Sequence, residues 1–309
     1  MEKVKKRKRK SKSQKKRKAS SLVRSSGTDK KLRSRLERTE ERQEKAKLEA
    51  ERASLLLTEQ AGFLEAEDGY ETQKFKQRDI RKAVDDQSSK NVFDLKLEKD
   101  GPYKVAYTRN GRHMLLCGER GHTAVLDCHT FRMSGELQLR ETCRDACFLM
   151  NENMFAVAQN KYVYIYDKTG MELHCLRNHM KPQRLDYLPY HYLLVSIGET
   201  GYLKYLDVST GKLVAELRTR KGSCSVMRQN PYNAIMNCGH SNGVVTMWSP
   251  NMSTPCVQMF CHHGPVRALA VDRSGKYMAS TGSDGQMKIW DLRMYVLTSF
   301  HLSQNIYED

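Results

Sequence analysis

Beyond about Asn91 the chain alternates short apolar runs with turn residues, and the whole pattern returns every 40 to 42 residues. Each return has a tight turn followed five residues later by a bulky side chain. Gly121 leads to Leu126-Asp127, Lys161 to Tyr166-Asp167 and Gly201 to Leu206-Asp207; Gly243 leads to Trp248-Ser249 and Gly285 to Trp290-Asp291. Ahead of each turn lie further β-prone runs split by a turn signal. In the first repeat Tyr103 to Tyr107 and His113 to Leu116 flank Asn110-Gly111. In the second, Phe148 to Met150 and Met154 to Ala158 flank Asn151-Glu152. Pro189-Tyr190, Asn230-Pro231 and Ser274-Gly275 hold the same place in the later repeats. Runs of this length with such boundaries predict strands. Another turn, Lys168-Thr169-Gly170 or Ser209-Thr210-Gly211, predicts an outer strand in each unit where it is clearest.

Four strands per unit at this period, closing on Trp-Asp where the signal is fullest, predict an all-β fold of WD40-type β-propeller blades. Residues 91–301 hold about five of them, which are expected to form an incomplete ring with an unpaired blade face left exposed. The polar residues of the repeats are read as structural. Ser280, Asp284 and Trp290 are expected to join His262 or His263 in a hydrogen-bond relay within the last blade. Asp127, Asp167, Asp207, Trp248 and Asp291 are given structural roles at the ends of their strands. Where Leu126, Tyr166 and Leu206 replace the tryptophan, the relay is expected to be incomplete.

Ahead of the repeats the texture differs. Residues 28–62 read as a charged helix that Asp29 can cap, uninterrupted by Gly or Pro until Gly62. Its middle (RTEERQEK, 38–45) lacks a continuous apolar stripe, so the helix is expected to project from the domain and dock on a partner. Residues 63–90 read as an extended or partly helical linker, and residues 302–309 as a short polar tail. Residues 1–27 form a basic arm in which Lys5, Lys6, Arg7, Lys8, Arg9, Lys10, Lys15, Lys16, Arg17 and Lys18 make two clusters. A block of like charge repels itself and buries nothing, so it is expected to stay disordered until it meets a counter-charge.

Charge sharpens this division. Residues 1–90 carry 28 Lys+Arg against 16 Asp+Glu, whereas the remaining 219 carry 25 against 20, within a net charge of +17. That asymmetry implies a polyanionic partner, and the two clusters are candidate RNA contacts and a nuclear address. On the first blade Arg109, Arg112 and Arg120 are candidate RNA contacts at successive turns, with an ordinary solvated rim the equally weighted alternative. Arg218, Arg220 and Lys221 form a second basic group between the third and fourth blades. No stretch approaches the ~20 apolar residues of a membrane span, and no apolar segment follows the basic start as a secretory signal requires. The nine scattered cysteines read as reduced thiols.

Catalytic and metal readings are weak. Gly239-His240-Ser241-Asn242-Gly243 satisfies the G-x-S-x-G pattern of a hydrolase nucleophile elbow, but a strand (Val244 to Trp248) follows where a helix is required. The same turn recurs as Gly198 to Gly201 and Gly282 to Gly285, which makes it a requirement of the fold. Cys256, Cys261, His262 and His263 lack the paired spacing of a zinc site. No catalytic residue, cofactor, metal or small-molecule substrate is expected.

Several strings are more specific than the repeat itself: LTEQAGFLEAE (57–67), GPYKVAYTRNGRHMLLCGERGH (101–122), FAVAQNKYVYIYDKTGMELHCL (155–176), LPYHYLLVS (188–196), QNPYNA (229–234) and GHSNGVVTMWSPN (239–251). From about residue 57 to residue 293 the chain resembles the nucleolar WD-repeat family of the small-subunit processome. The resemblance implies a non-enzymatic scaffold in ribosome biogenesis that supports 18S pre-rRNA processing. Its implied partners are pre-ribosomal RNA, a snoRNA-containing particle and other processome proteins. It also implies further blades and a carboxyl-terminal region, so this chain is expected to be a shortened isoform, a fragment or an incomplete gene model. The competing reading is a nuclear WD-repeat adaptor for ubiquitin ligase or chromatin complexes.

Overall fold

A computed structural model describes residues 30–53, 74–89 and 95–302. Helix α1 spans Lys30–Ala53, and two short helices follow, α2 (Gln77–Ala83) and α3 (Asp86–Ser89). Twenty strands then form five antiparallel sheets of four, each built from strands consecutive in the chain. Blade 1 comprises β1 (Tyr103–Tyr107), β2 (His113–Gly118), β3 (His122–Asp127) and β4 (Met133–Gln138). Blade 2 comprises β5 (Cys143–Phe148), β6 (Met154–Gln159), β7 (Val163–Asp167) and β8 (Glu172–Leu176). Blade 3 holds β9 (Pro182–Leu188), β10 (Leu193–Gly198), β11 (Tyr202–Asp207) and β12 (Leu213–Arg218). Blade 4 holds β13 (Cys224–Gln229), β14 (Met236–His240), β15 (Val244–Trp248) and β16 (Val257–Phe260). Blade 5 holds β17 (Val266–Val271), β18 (Tyr277–Gly282), β19 (Gln286–Asp291) and β20 (Val296–Leu302).

The core lies in seams between blades. Second strands such as β6 (Phe-Ala-Val-Ala after Met154) and β10 are buried on both faces, which is why their sequences run apolar without alternation. Leu115 and Val125 meet Phe155 and Tyr166 between blades 1 and 2. Ala156 and Ile165 meet Leu185 and Leu194 between blades 2 and 3. Val195 and Tyr205 meet Met236 and Trp248 between blades 3 and 4, and Val245 and Met247 meet Leu269 and Met278 between blades 4 and 5. Among the described residues no fifth cluster joins blade 5 to blade 1. There Val105, Tyr107 and Met133 on one side and Met287, Val296 and Leu297 on the other stand exposed.

The turn carrying the G-x-S-x-G string joins β14 to β15, two strands. Gly243 has φ +80°, and a Cβ there would lie 1.8 Å from the His262 carbonyl oxygen. Glycine is required because the neighbouring blade passes against the backbone. Ser241 stands exposed in the turn, and the His240 ring is turned inward to Thr246.

Helix α1 corrects an expectation. Although nearly all charge through its middle, it docks on its own propeller: Ala46 is buried in one cluster with Leu149, Leu173 and Leu176 of blade 2, and Gln43 Nε2 donates to the Glu172 carbonyl at 3.1 Å. The small Ala46 lets the helix backbone approach β8 closely. The amide of Gln43 then satisfies one carbonyl of an otherwise open sheet edge. A stripe one residue wide leaves no periodic signal in the sequence.

Candidate nucleic-acid interface

The polar residues inside the blades brace the fold. In blade 5 His262 is fully buried, its Nδ1 3.0 Å from Asp284 and its Nε2 2.9 Å from Ser280 Oγ, to which Trp290 Nε1 also donates at 3.0 Å. His262, and not His263, is therefore the histidine of the relay. Blade 3 keeps only the His179–Ser196 contact. Blade 4 is rewired: Thr246 Oγ1 takes the place of the serine, 2.7 Å from His240 Nε2 and 2.8 Å from Trp248 Nε1. Burial pushes His179 and His240 down to about 4, so both are neutral near pH 7.

The acids that close the third strands serve as turn caps. Asp127 accepts from the His129 amide at 2.9 Å and from Arg112 at 3.2 Å. Asp167 accepts from the Thr169 amide and hydroxyl, and Asp207 from Ser209 and Thr210. Asp291 accepts from the Arg293 guanidinium at 2.7 Å, which with the Arg293 amide holds its carboxyl down to about 2.

The structure separates the three candidate arginines of blade 1. Arg109 and Arg112 sit at the β1–β2 turn, whereas Arg120 sits at the β2–β3 turn, the opposite end of the blade. Arg112 is held by Asp127. Arg109 stacks on the Tyr190 ring of blade 3 at 4.5 Å and donates to its hydroxyl. The two basic clusters between Lys5 and Lys18 lie outside the described residues.

Where the inner strands β1, β5, β9, β13 and β17 converge they enclose a cavity of about 920 Å³. Lys104, Arg109, Arg184, Arg228, Arg267 and Arg273 line it, against Asp145 and Asp186. Both acids are spent on blade-to-blade latches. Asp145 accepts from the Leu185 amide and Asp186 from the Gln229 amide, each at 3.0 Å. Burial raises both carboxyls, Asp186 to about 6 despite the amides it accepts from. Lys104 donates to the Arg144 carbonyl, joining blades 1 and 2, and Arg184 to the Ser225 carbonyl at 2.7 Å, joining blades 3 and 4 alongside the Asp186 latch. Arg228 and Arg267 are exposed. This cationic excess was missed in the sequence because its members belong to different blades. The available signal was spacing, since Lys104 and Arg184 stand two repeats apart at one place in the repeat.

On the same face, the turns and strand ends present aromatic rings between the cations: Tyr107, Tyr190 and Tyr232 are 59%, 58% and 80% exposed. Cations that neutralise phosphates beside rings that stack on bases form the usual single-strand binding surface. Among the described residues no group of His, Cys, Asp and Glu could hold a metal ion, and no helix is long and apolar enough to cross a membrane.

A family model described as Nucleolar protein 10-like, N-terminal domain, a β-propeller, matches residues 64–305. The chain belongs to this family. It is 50% identical over 268 residues to U3 small nucleolar RNA-associated protein 7 of Saccharomyces cerevisiae, covering 86% of this chain and 48% of that protein. WD repeat-containing protein 46 of mouse and of human is 51% identical over 263 residues, 85% of this chain and 42% or 43% of theirs. The chain thus spans a little under half the length of these curated relatives. A solved β-propeller domain, Cps50 (Swd1) of Myceliophteria thermophila, aligns with a TM-score of 0.58 at 15% identity, over 65% of this chain and 72% of that one. At that identity it speaks for the fold alone.

Proposed function

We propose that this nucleolar WD-repeat protein is a non-enzymatic scaffold of ribosome biogenesis, acting within the small-subunit processome in support of 18S pre-rRNA processing. The observation that carries the reading is the 50% identity to a protein named for its association with the U3 small nucleolar RNA, running through 86% of this chain. The physical surface supports it. A basic arm supplies sequence-tolerant phosphate contacts, and the cavity face adds cations and exposed tyrosines on a rigid stack of blades. The buried histidines His179, His240 and His262 contact serine or threonine hydroxyls inside the blades. Pre-ribosomal RNA, a snoRNA-containing particle and other processome proteins are the partners of this reading.

The test is affinity capture of the tagged chain from nucleolar extract, with and without RNase, followed by sedimentation of the eluate. Recovery of U3 snoRNA and pre-18S RNA in a large, RNase-sensitive particle is the expected result. Stable, RNase-insensitive recovery of a ubiquitin ligase or of histones, without those RNAs, would replace the scaffold reading with the adaptor one.

A further inference from the structure

The seam between blades 4 and 5 breaks a rule that the other blades keep. Strand pairing places Leu115, Ala156, Val195, Asn237 and Ala279 at one position of the second strand in blades 1 to 5. Four are apolar, and Leu115, Ala156 and Val195 are fully buried in the core; in blade 4 the residue is an asparagine. Asn237 is fully buried, yet neither its Oδ1 nor its Nδ2 has a hydrogen-bond partner. An unpaired buried amide is costly, and such local violations concentrate where a site has been built.

Asn237 lines a cavity of about 350 Å³ with Ile235, Met247 and Leu292, on the face that carries the turns 230–235 and 274–276. Tyr232 and Tyr295 line it too, and both are exposed. Lys276 and Arg293 are the charged residues among its lining, and Arg293 is already paired with Asp291, so Lys276 carries the positive charge offered to a ligand. Asn230 borders both this cavity and the cationic central one, so the two are adjacent on one face. The volume is at the small end of the ~300–1,000 Å³ typical of ligand sites.

We propose that this seam cavity is a base-binding subsite that takes one unpaired nucleobase of single-stranded RNA. Asn237 reads the base edge, Tyr232 covers its face, and Lys276 meets the adjoining phosphate. An amide offers one donor and one acceptor side by side, which pairs in bidentate fashion with the N6 amino group and N7 of adenine. The cationic lining and the aromatic rim favour a nucleic acid over a peptide. The inference deepens the RNA-scaffold reading and rests on it.

Fluorescence anisotropy of the full chain at 150 mM salt, with fluorescein-labelled twelve-nucleotide oligoadenylate and oligocytidylate, tests it. The parent is expected to bind the adenylate roughly fivefold or more tightly than the cytidylate. Asn237→Val, which installs the residue type of blade 3, is expected to erase that preference while raising Tm by roughly 2–4 °C. Tyr232→Ala is expected to weaken both oligonucleotides by about fivefold or more. Binding without base preference, unchanged by either substitution, overturns the subsite and leaves the scaffold reading standing. Absence of any oligonucleotide binding overturns the RNA reading beneath both. If the substitutions release proteins from the captured particle but leave oligonucleotide affinity untouched, the cavity holds a peptide and the proposal falls.

Discussion

The two seams flanking blade 4 are made from the same parts and packed differently. Toward blade 3, Trp248 is 1% exposed and Val195, Tyr205 and Met236 are fully buried around it, with the Tyr205 hydroxyl reaching the Trp248 carbonyl at 3.4 Å. Toward blade 5, Trp290 holds the equivalent position but is only half-buried. Asn237 there stands where the other seam has Val195, and the cavity of about 350 Å³ opens beside it. Blade 5 nevertheless has the complete His262–Ser280–Trp290 relay, with Asp284 fixing the histidine. The lesson is a division of labour. An apolar seam holds its blades by burial, whereas a seam interrupted by a polar cavity depends more on hydrogen bonds within the blade.

Paired truncations of the two tryptophans bear hardest on that comparison. Trp248→Ala removes a large, fully packed side chain and leaves Thr246 without one of its donors, so it is expected to cost about 3–5 kcal/mol. Trp290→Ala, at the half-buried position, is expected to cost roughly half as much. Urea denaturation of both variants reads the difference. Equal losses would mean that the blade 4–blade 5 seam is as tightly packed as its neighbour, against the geometry described above.

Acid sharpens the contrast next. His240 in blade 4 has no carboxylate partner, and burial, aided by Lys221, pushes it down to about 4. A histidine depressed in the folded state contributes its full stability above the unfolded value near 6.5. That contribution is lost as pH falls toward 4, because the unfolded chain binds the proton first. Asp284 is also held below its ordinary range. Burial resists that shift, but the bond from His262 and the Gln286 amide outweigh it, so its contribution is lost only at pH values lower still. Between pH 7 and 5, His240→Gln is therefore expected to remove about 1–2 kcal/mol of the acid sensitivity of the parent chain. Asp186, raised to about 6, acts in the opposite sense below that pH. The measurement is accordingly the difference between variant and parent in paired denaturation curves. An unchanged pH slope would show that His240 titrates in the fold as it does in the unfolded chain.

How far these features could be read in advance follows from their range along the chain. Blades and turns repeat with the period, so spacing alone exposed them, while the relay was legible only in blade 5, where the sequence left the histidine open between His262 and His263. The relay of blade 4 was not legible, because Cys238 stands where blade 5 has Ser280, Thr246 acts from the third strand opposite Cys238, and His240 ends the second strand whereas His262 precedes the first strand of its blade. The cationic cavity required knowing that five inner strands converge, which places residues such as Lys104 and Arg267 on one wall although 163 positions separate them. Asn237 looks like an ordinary strand residue until its four counterparts are aligned by pairing. Arg109, Arg112 and Arg120 do stand at successive turns, and because successive turns of an antiparallel sheet lie at opposite ends, Arg120 does not share a face with the other two.

The smallest expected effect concerns a seam of another kind, where a charged helix replaces a neighbouring blade strand. Helix α1 covers the edge of blade 2 through two contacts, the buried Ala46 and the bond from Gln43 to the Glu172 carbonyl. The carbonyl lies at the surface, so water replaces a lost donor there, and Gln43→Ala is expected to cost only about 0.5–1 kcal/mol. Ala46→Lys should act differently, because it puts a long charged chain where the backbone must approach Leu173 and Leu176. Amide hydrogen exchange across β8 distinguishes the two. Ala46→Lys is expected to speed exchange along the whole strand, whereas Gln43→Ala is expected to leave it nearly unchanged. If neither substitution alters exchange in β8, the helix adds nothing to blade 2. A histidine at the surface of β8, His174, gives an independent check, since partial desolvation and the nearby Lys47 of α1 both lower its pKa. Undocking the helix should move that titration back up toward the ordinary value for histidine.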